Sequence, residues 1–382
     1  MSRPQRTAVD REIQRLLGRG STLPGALPAL AHGDLWQAFA RATEGGKRAR
    51  PVLLLATHEA FGGGRHEAAV QVGAALELLH TSFVIQDDVI DGDETRRGAP
   101  NLPGSVAAEA REQGASPAGS RRLGVAAGIL AGDLGLVAAL RAVARCDAPG
   151  PVVDRLLDLF ESTLHTSAAG ELADVRLQLT PAEQPAALRD ALAVAELKTA
   201  AYSFQLPLHA GALLAGARPA QLTALDEVGA LLGIGFQLID DLLGVFGNEQ
   251  RTGKSALGDL REGKRTALIA HASTTASWPR LRPLVGRDAL DAEQAREARR
   301  LLTAAGSRTW VEDLAHWHLD SAVEAAERHA LPAPLVDALG RAALEIRRTA
   351  AQSLLPLEET AQPLEEAERP SHPSAAREGL PA

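Results

Sequence analysis

Cysteine is almost absent from this chain: Cys146 alone occurs in 382 residues, which excludes an intrachain disulfide and fits a reducing compartment. Lysine is nearly as scarce. Of 40 basic Lys and Arg residues only Lys47, Lys198, Lys254 and Lys264 are lysines, so Arg is the default cation and each lysine is a candidate for a site that needs a compact ammonium. No basic stripe is present, which argues against nucleic acid as a partner. Met1 to Arg19 carries charges throughout and no apolar h-region, so no secretory signal is expected and the cytoplasm is the expected location. Asn-Gly hairpin signals and β-branched runs are missing too, which speaks against a β-rich fold.

What is there is apolar and helical in pattern. The apolar fraction of 45% is enough for a well-buried core. Ala and Leu recur at three- and four-residue spacings from about Ala29 to Leu354, a helical period. Breaks fall at Gly62-Gly63-Gly64, Gly98 to Gly119, Asp147 to Pro151, Thr180 to Pro185 and Ser277 to Pro283. The break from Gly98 to Gly119 is long for a compact domain and reads as a solvated insertion or a flap. Residues 1–28 mix Arg, Gly and Pro around one short amphipathic stretch, Val9 to Leu17, and read as a partly ordered lead-in. The tail, 355–382, holds six Glu against two Arg and five Pro, so disorder is expected there, and it supplies about half of the net charge of −8. The most apolar stretch, Leu123 to Val143, is interrupted by Asp133 and dotted with Gly, and reads as a buried helix with no membrane span.

Two acidic clusters carry the chemistry. In the first, an apolar run from Thr81 ends in Asp87, Asp88, Asp91, Asp93 and Glu94, five carboxylates within eight residues. Asp87 and Asp91 are four apart and share a helical face, and Asp88 neighbours Asp91 by the three-residue rule. Gly92 marks the helix end, where the dipole also disfavours anions, so a cation is needed. Oxygen ligands without His or Cys point to Mg²⁺, which takes one or two carboxylates plus substrate phosphates. In the second cluster, Gly235-Phe236-Gln237-Leu-Ile-Asp240-Asp241, another apolar run ends in an Asp pair, and Phe83 and Phe236 each lie four residues upstream of their pair. Two such pairs on facing helices would enclose a metal and diphosphate cavity.

Cations accompany both clusters. Gly45-Gly46-Lys47-Arg48-Ala49-Arg50-Pro51 sets three beside a Gly pair whose N–H groups can also meet an anion. Arg96-Arg97-Gly98 follows the first cluster, and Lys254 and Lys264 follow the second. Gly247 to Ser255 superficially resembles a nucleotide P-loop, but its glycine spacing is one residue too long and it follows a helix, not a strand.

Taken together, these residues resemble the trans-polyprenyl diphosphate synthases, over most of the chain and in the family's order. Gly46 to Pro51 resembles its GKRxRP element, His80 with Asp87-Asp88-Val-Ile-Asp91 its first aspartate-rich region, and Arg96-Arg97-Gly98 the following RRG. Gly132-Asp133, Gly170-Glu171 with Asp174, Lys198-Thr199, Phe236-Gln237, Asp240-Asp241 and Gly263-Lys264-Arg265-Thr266 resemble later elements. The resemblance implies an all-α isoprenoid synthase-type bundle around a central active-site cavity, acting as a homodimer. It implies that Lys47, Arg50, His80 and Arg97 hold the diphosphate of isopentenyl diphosphate, while Arg96, Lys198, Lys254 and Lys264 touch the allylic diphosphate. Asp87, Asp91 and Asp240 would bind three Mg²⁺ ions, with Mn²⁺ able to substitute, and Asp88 and Asp241 would act mainly through water. Phe236 and Gln237 would line the reacting centre, and the Thr199 hydroxyl would stabilise a carbocation.

Three departures from the family pattern are visible: Gly244 stands where most members have the third Asp of the second cluster, Glu171 replaces Gln and Gln86 replaces a common His. Phe83, one helical turn before Asp87, is expected to floor the product pocket, with Ser82 beside it leaving room for a geranylgeranyl rather than a farnesyl product. The alternatives are a terpene cyclase and a non-catalytic regulatory subunit. The paired cation sets speak against the first, and the near-complete ligand set against the second.

Overall fold

The computed structural model describes residues 3–20, 32–96, 98–181, 184, 187–248, 258–287 and 289–356. Arg97, Lys254 and the tail from residue 357 therefore lie outside the described residues, as does most of the P-loop-like segment. The described residues are helical almost throughout, as the sequence period requires. In order the helices are α1 (Arg3–Gly20), α2 (His32–Ala42), α3 (Ala49–Ala60), α4 (His66–Asp91), α5 (Leu102–Glu112), α6 (Pro117–Ala144) and α7 (Gly150–Gln178). There follow α8 (Leu188–Val194), a π-helical stretch (Ala195–Gln205) and α9 (Leu206–Ala215), which run on as one rod, and then α10 (Pro219–Phe246). The C-terminal part comprises α11 (Gly258–Glu262), α12 (Ala267–Ala272), α13 (Trp278–Leu281), α14 (Ala292–Ala304), α15 (Ser307–Arg328) and α16 (Ala333–Ser353).

Two long apolar helices organise the bundle. α4 packs on α6 on one side and α3 on the other, while α10 packs on α15 and on the π-helical stretch. α4 stops where the sequence indicates: Gly92 adopts φ 73°, a left-handed conformation that glycine enters without penalty, and its N–H caps the Asp88 carbonyl. The π-helical stretch ends at Gln205, two residues before Pro207, which has no N–H to donate and whose ring would crowd a normal α-turn. Wider i→i+5 turns relieve that crowding, and such turns are frequent at functional sites.

Four expectations change. The segment 98–119 is not an insertion loop: Thr95–Arg96 and Ala99–Pro100 form a small antiparallel hairpin, β1–β2, and α5 follows directly. Asn101 caps α5 by accepting from the Gly104 N–H at 2.8 Å, Pro103 occupies the first turn, and Leu102, Ala107 and Ala110 are buried. The Pro and Gly residues there are helix-start and helix-stop signals, not loop composition. The lead-in is an 18-residue helix whose Val9, Ile13, Leu16 and Leu17 join the main core, because that apolar stripe outweighs the surrounding Arg. Part of the Ser277–Pro283 break is the short helix α13 with a 3₁₀ turn after it.

The fourth concerns α6, which is helical as expected but not buried all round. Its small residues make the contact: a Cβ on Gly128, Gly132 or Gly135 would overlap Val89, Gln86 or Ser82 of α4. Close approach through glycine turns the larger side chains outward, leaving Leu123, Ile129, Leu130 and Val137 exposed. By length and composition α4, α6 and α10 are each apolar enough to cross a membrane; 78% of the apolar stretch of α4 is buried inside the protein, against 39% of that of α6.

The turn before α3 is held from below. Arg48 sits at φ 54°, uncommon for a residue with a side chain, and its guanidinium donates at 2.9 Å each to Asp10 of α1, the Thr43 carbonyl and Glu77 of α4. Both Arg48 and Glu77 are nearly buried, whereas Asp10 is open to solvent. Removing Glu77 strands most of a buried charge. Glu77→Ala is expected to cost about 3 kcal/mol in urea unfolding, and a loss below about 1 kcal/mol, the range of exposed pairs, would show that Asp10 suffices.

Candidate active site

α4 and α10 deliver their acidic ends to one space, closed by the π-helical stretch, α7 and α11. Lys198, in the first π-turn, places its ammonium 3.2 Å from Asp87, 2.9 Å from Glu171 and 2.9 Å from Asp174. Lys264 does the same on the other side, 3.1 Å from Asp91, 3.0 Å from Glu262 and 3.6 Å from Asp259. Burial alone would pull both ammoniums down, but the carboxylates around them outweigh it and hold both far above the ordinary lysine range. Both stay charged.

Arg96, on β1, closes the end of α4. It lies 2.5 Å from Asp88 and 3.3 Å from Asp87. Burial would raise the Asp87 carboxyl, yet Lys198, Lys264 and Arg96 together hold it below the usual carboxylate range. Asp88 behaves oppositely: burial pushes it up to about 6 despite Arg96. Asp241 is likewise well above the ordinary value, through burial first and then the charge of Asp259.

A hydrogen-bonded chain crosses the cavity. The Thr199 hydroxyl donates to the Gln237 carbonyl oxygen at 2.6 Å, and the Gln237 amide donates to Asp241 at 2.7 Å. Asp240 is partly buried beside it, and the partly buried Phe236 ring packs on Phe204 with centroids 5.4 Å apart. The chain therefore ties the π-helical stretch to the second acidic cluster and fixes the orientation of Thr199.

The cation trio at 47–50 divides. Arg48 turns inward as described, while Lys47 reaches outward to Glu345 at 3.2 Å and Thr349 at 3.3 Å on α16. Arg50 points into the bundle, donating to Ser203 at 2.7 Å and to Tyr202 at 3.3 Å, with its guanidinium 4.8 Å over the Tyr202 ring. Tyr202, the one tyrosine in the sequence, also meets Phe83 edge-on at 4.9 Å and stacks on His80 at 6.2 Å. Phe83 and His80 thus line the same side of α4 as Asp87. Ser82 does not share it: fully buried, it faces Gly135 on α6, with Phe39 behind.

Sequence reasoning misses Tyr202, Ser203, Asp259 and Glu262. Tyr202 lies four residues after Lys198, a helical spacing that marks it in retrospect. Asp259 lies on a different element from the cluster it joins, with nothing local to mark it.

An all-oxygen donor set that already gathers around positive charge fits hard divalent cations. Among the described residues no three acidic, His or Cys side chains converge as a ready cage.

Comparison with known proteins agrees with this geometry. Residues 34–302 match the family described as Polyprenyl synthetase, and the chain belongs to that family. It is 33% identical over 231 residues to a geranylgeranyl diphosphate synthase of Sulfolobus acidocaldarius, spanning 59% of this chain and 63% of that one. It is 30% identical over 295 residues to a (2E,6E)-farnesyl diphosphate synthase of Mycobacterium tuberculosis, 75% of each chain. Among solved structures, a geranylgeranyl pyrophosphate synthase of Corynebacterium glutamicum complexed with isoprenyl diphosphate and magnesium superposes with TM-score 0.81 at 29% identity, covering 90% of this chain and 97% of that one.

The raised Asp88 carboxyl has a definite sign. Its folded pKa, about 6, exceeds its unfolded value of 3.8, so the native state holds the extra proton and this group's contribution to stability falls as pH rises between those values. In metal-free protein, Asp88→Asn should gain melting temperature relative to wild type on going from pH 4 to pH 7. A difference that stays flat over that range would mean that Arg96 fully offsets burial.

Proposed function

We propose that this protein condenses isopentenyl diphosphate with an allylic diphosphate, giving a short-chain trans-polyprenyl diphosphate, with the geranylgeranyl product favoured over the farnesyl. The observation that carries this reading is an acidic arm, Asp87/Asp91, held by Lys198 and Lys264, brought to the same space as a second acidic arm, Asp240/Asp241, with a separate arginine, Arg50, turned into the same bundle. One region suits a metal-bridged leaving diphosphate and the other a second diphosphate.

In this mechanism Asp87, Asp91 and Asp240 would hold three Mg²⁺ ions, Mn²⁺ being able to replace them, with Asp88 and Asp241 acting mainly through water. The metals supply positive charge to the departing diphosphate. Arg96, Lys198 and Lys264 stabilise that same charge as the carbon–oxygen bond breaks, and since these groups are already fixed among carboxylates little reorganisation is needed. Thr199, oriented by Gln237, presents its hydroxyl oxygen to the allylic cation. Arg50 and His80 orient isopentenyl diphosphate so that its double bond attacks that cation, and Lys47 joins them on exchanging Glu345 for the diphosphate. Arg97 and Lys254 would join the two diphosphate sites, as the family resemblance implies. No protein nucleophile is required, and the released diphosphate takes the proton lost as the new double bond forms.

Relatives of similar identity are named for geranylgeranyl and farnesyl products, so the product range is argued from the cavity wall. Phe83, packed edge-on against Tyr202, is the proposed floor. Ser82, turned toward α6, has no such place in that wall. The protein is further proposed to act in the cytoplasm, without a membrane span, as a homodimer. Leu123, Leu130 and Val137 recur every seven residues along the exposed side of α6, 52%, 55% and 63% exposed, the spacing at which two helices pair.

Incubating the purified protein and Mg²⁺ with labelled isopentenyl diphosphate and dimethylallyl, geranyl or farnesyl diphosphate in turn should give elongated diphosphates, and Phe83→Ala should shift them to longer chains. Cyclic hydrocarbons, or no product from folded protein, would favour a cyclase or a non-catalytic subunit. An unchanged product distribution in Phe83→Ala would move the floor elsewhere. In sedimentation velocity, wild type should run as a dimer and Leu130→Glu as a monomer; a monomeric wild type would refute the pairing.

A further inference from the structure

Gly244 removes one carboxylate from the second acidic cluster, yet the space it leaves is filled. Residue 244 lies four after Asp240 and three after Asp241, so it shares their helical face at the mouth of the cavity. A Cβ built on Gly244 would overlap Oδ2 of Asp259 and come within 2.6 Å of its Cγ. The carboxylate of Asp259, carried by α11, therefore occupies the position into which a side chain at 244 would have to grow. Any residue larger than glycine would expel it. The other oxygen, Oδ1, lies 3.6 Å from the Lys264 ammonium, which is itself 3.1 Å from Asp91 of the opposite arm.

We propose that Asp259 supplies the third carboxylate of the second acidic cluster, in the space that Gly244 vacates, and positions metal and diphosphate at the end of α10. The exchange moves a negative charge from α10 to α11 without losing it. It also joins that charge to the segment bearing Lys264, so the ammonium that neutralises a leaving diphosphate and the carboxylate that supports its metal are five residues apart on one unit. Gly244 is then required by Asp259, and its presence does not weaken the cluster.

This inference rests on the function proposed above, and calorimetry of inorganic diphosphate binding at stepped Mg²⁺ concentrations separates the two. Wild type should bind diphosphate only with Mg²⁺. In Asp259→Ala the Mg²⁺ concentration giving half-maximal binding should rise about 10- to 100-fold, the range for removing a group that supports a metal ligand. Gly244→Ala should cause a similar rise although it adds only a methyl group and favours the helix. Adding Gly244→Asp to Asp259→Ala should restore the wild-type midpoint.

A midpoint unchanged in Asp259→Ala, or unrestored in the double variant, overturns the inference while leaving the proposed function intact. Weaker diphosphate binding at saturating Mg²⁺ with an unshifted midpoint also overturns it, since Asp259 would then act only by holding Lys264. If Asp259→Ala does not fold by circular dichroism, Asp259→Asn, which keeps the shape and removes the charge, should show the same shift, and its absence is equally fatal. Wild type that binds no diphosphate with Mg²⁺ overturns both readings.

Discussion

Carboxylates cannot be crowded into a half-buried space unless something positive lies among them, and that constraint governs this protein. α4, α7, α10 and α11 each bring acidic side chains to the cavity, and Lys198 and Lys264 each meet three of them within 3.6 Å. Without those ammoniums the arms would repel one another and the helix ends carrying them would splay. The same balance sets the protonation pattern: Asp87, ringed by cations, stays ionised, whereas Asp88 and Asp241, where burial dominates, are raised.

The rest of the bundle serves to hold that balance in place. Glycines on α6 let it approach α4 closely, so the acidic end of α4 is backed by a rigid neighbour. The π-helical stretch, made compatible with Pro207 by its wider turns, delivers Lys198, Thr199, Tyr202 and Ser203 to the cavity side. Arg48, buried beneath its own turn, fixes the backbone between Lys47 and Arg50 and sends the two in different directions. A motif that reads as a single basic patch is thus one structural residue flanked by two of different address.

Much of this is legible in the amino-acid sequence. The acidic pairs, the lysines that survive in an arginine-rich chain and the helix end at Gly92 all follow from local rules: ligand chemistry, the scarcity of a residue type and backbone sterics. The misreadings are local ones too. Pro and Gly at 98–119 look like loop composition but are the caps of α5, and the amphipathic stretch Val9 to Leu17 extends into an 18-residue helix that joins the main core. The apolar run at 123–143 looks buried because composition does not say which face a helix offers, and here the small face is the one taken inward.

The sequence by itself determined the helical class, the family and the residues able to carry metal and diphosphate chemistry, because period, side-chain type and motif order are properties of the chain. Only the tertiary structure decided which of those residues meet. Glu171 and Asp174 come to Lys198, Glu262 and Asp259 to Lys264, and Tyr202 to both Arg50 and Phe83, each from a different element of the bundle. Gly244 shows the division most clearly. Read locally it is a missing carboxylate; in space it is the opening through which Asp259 arrives, because the volume of an absent side chain matters only once a neighbour is packed against it.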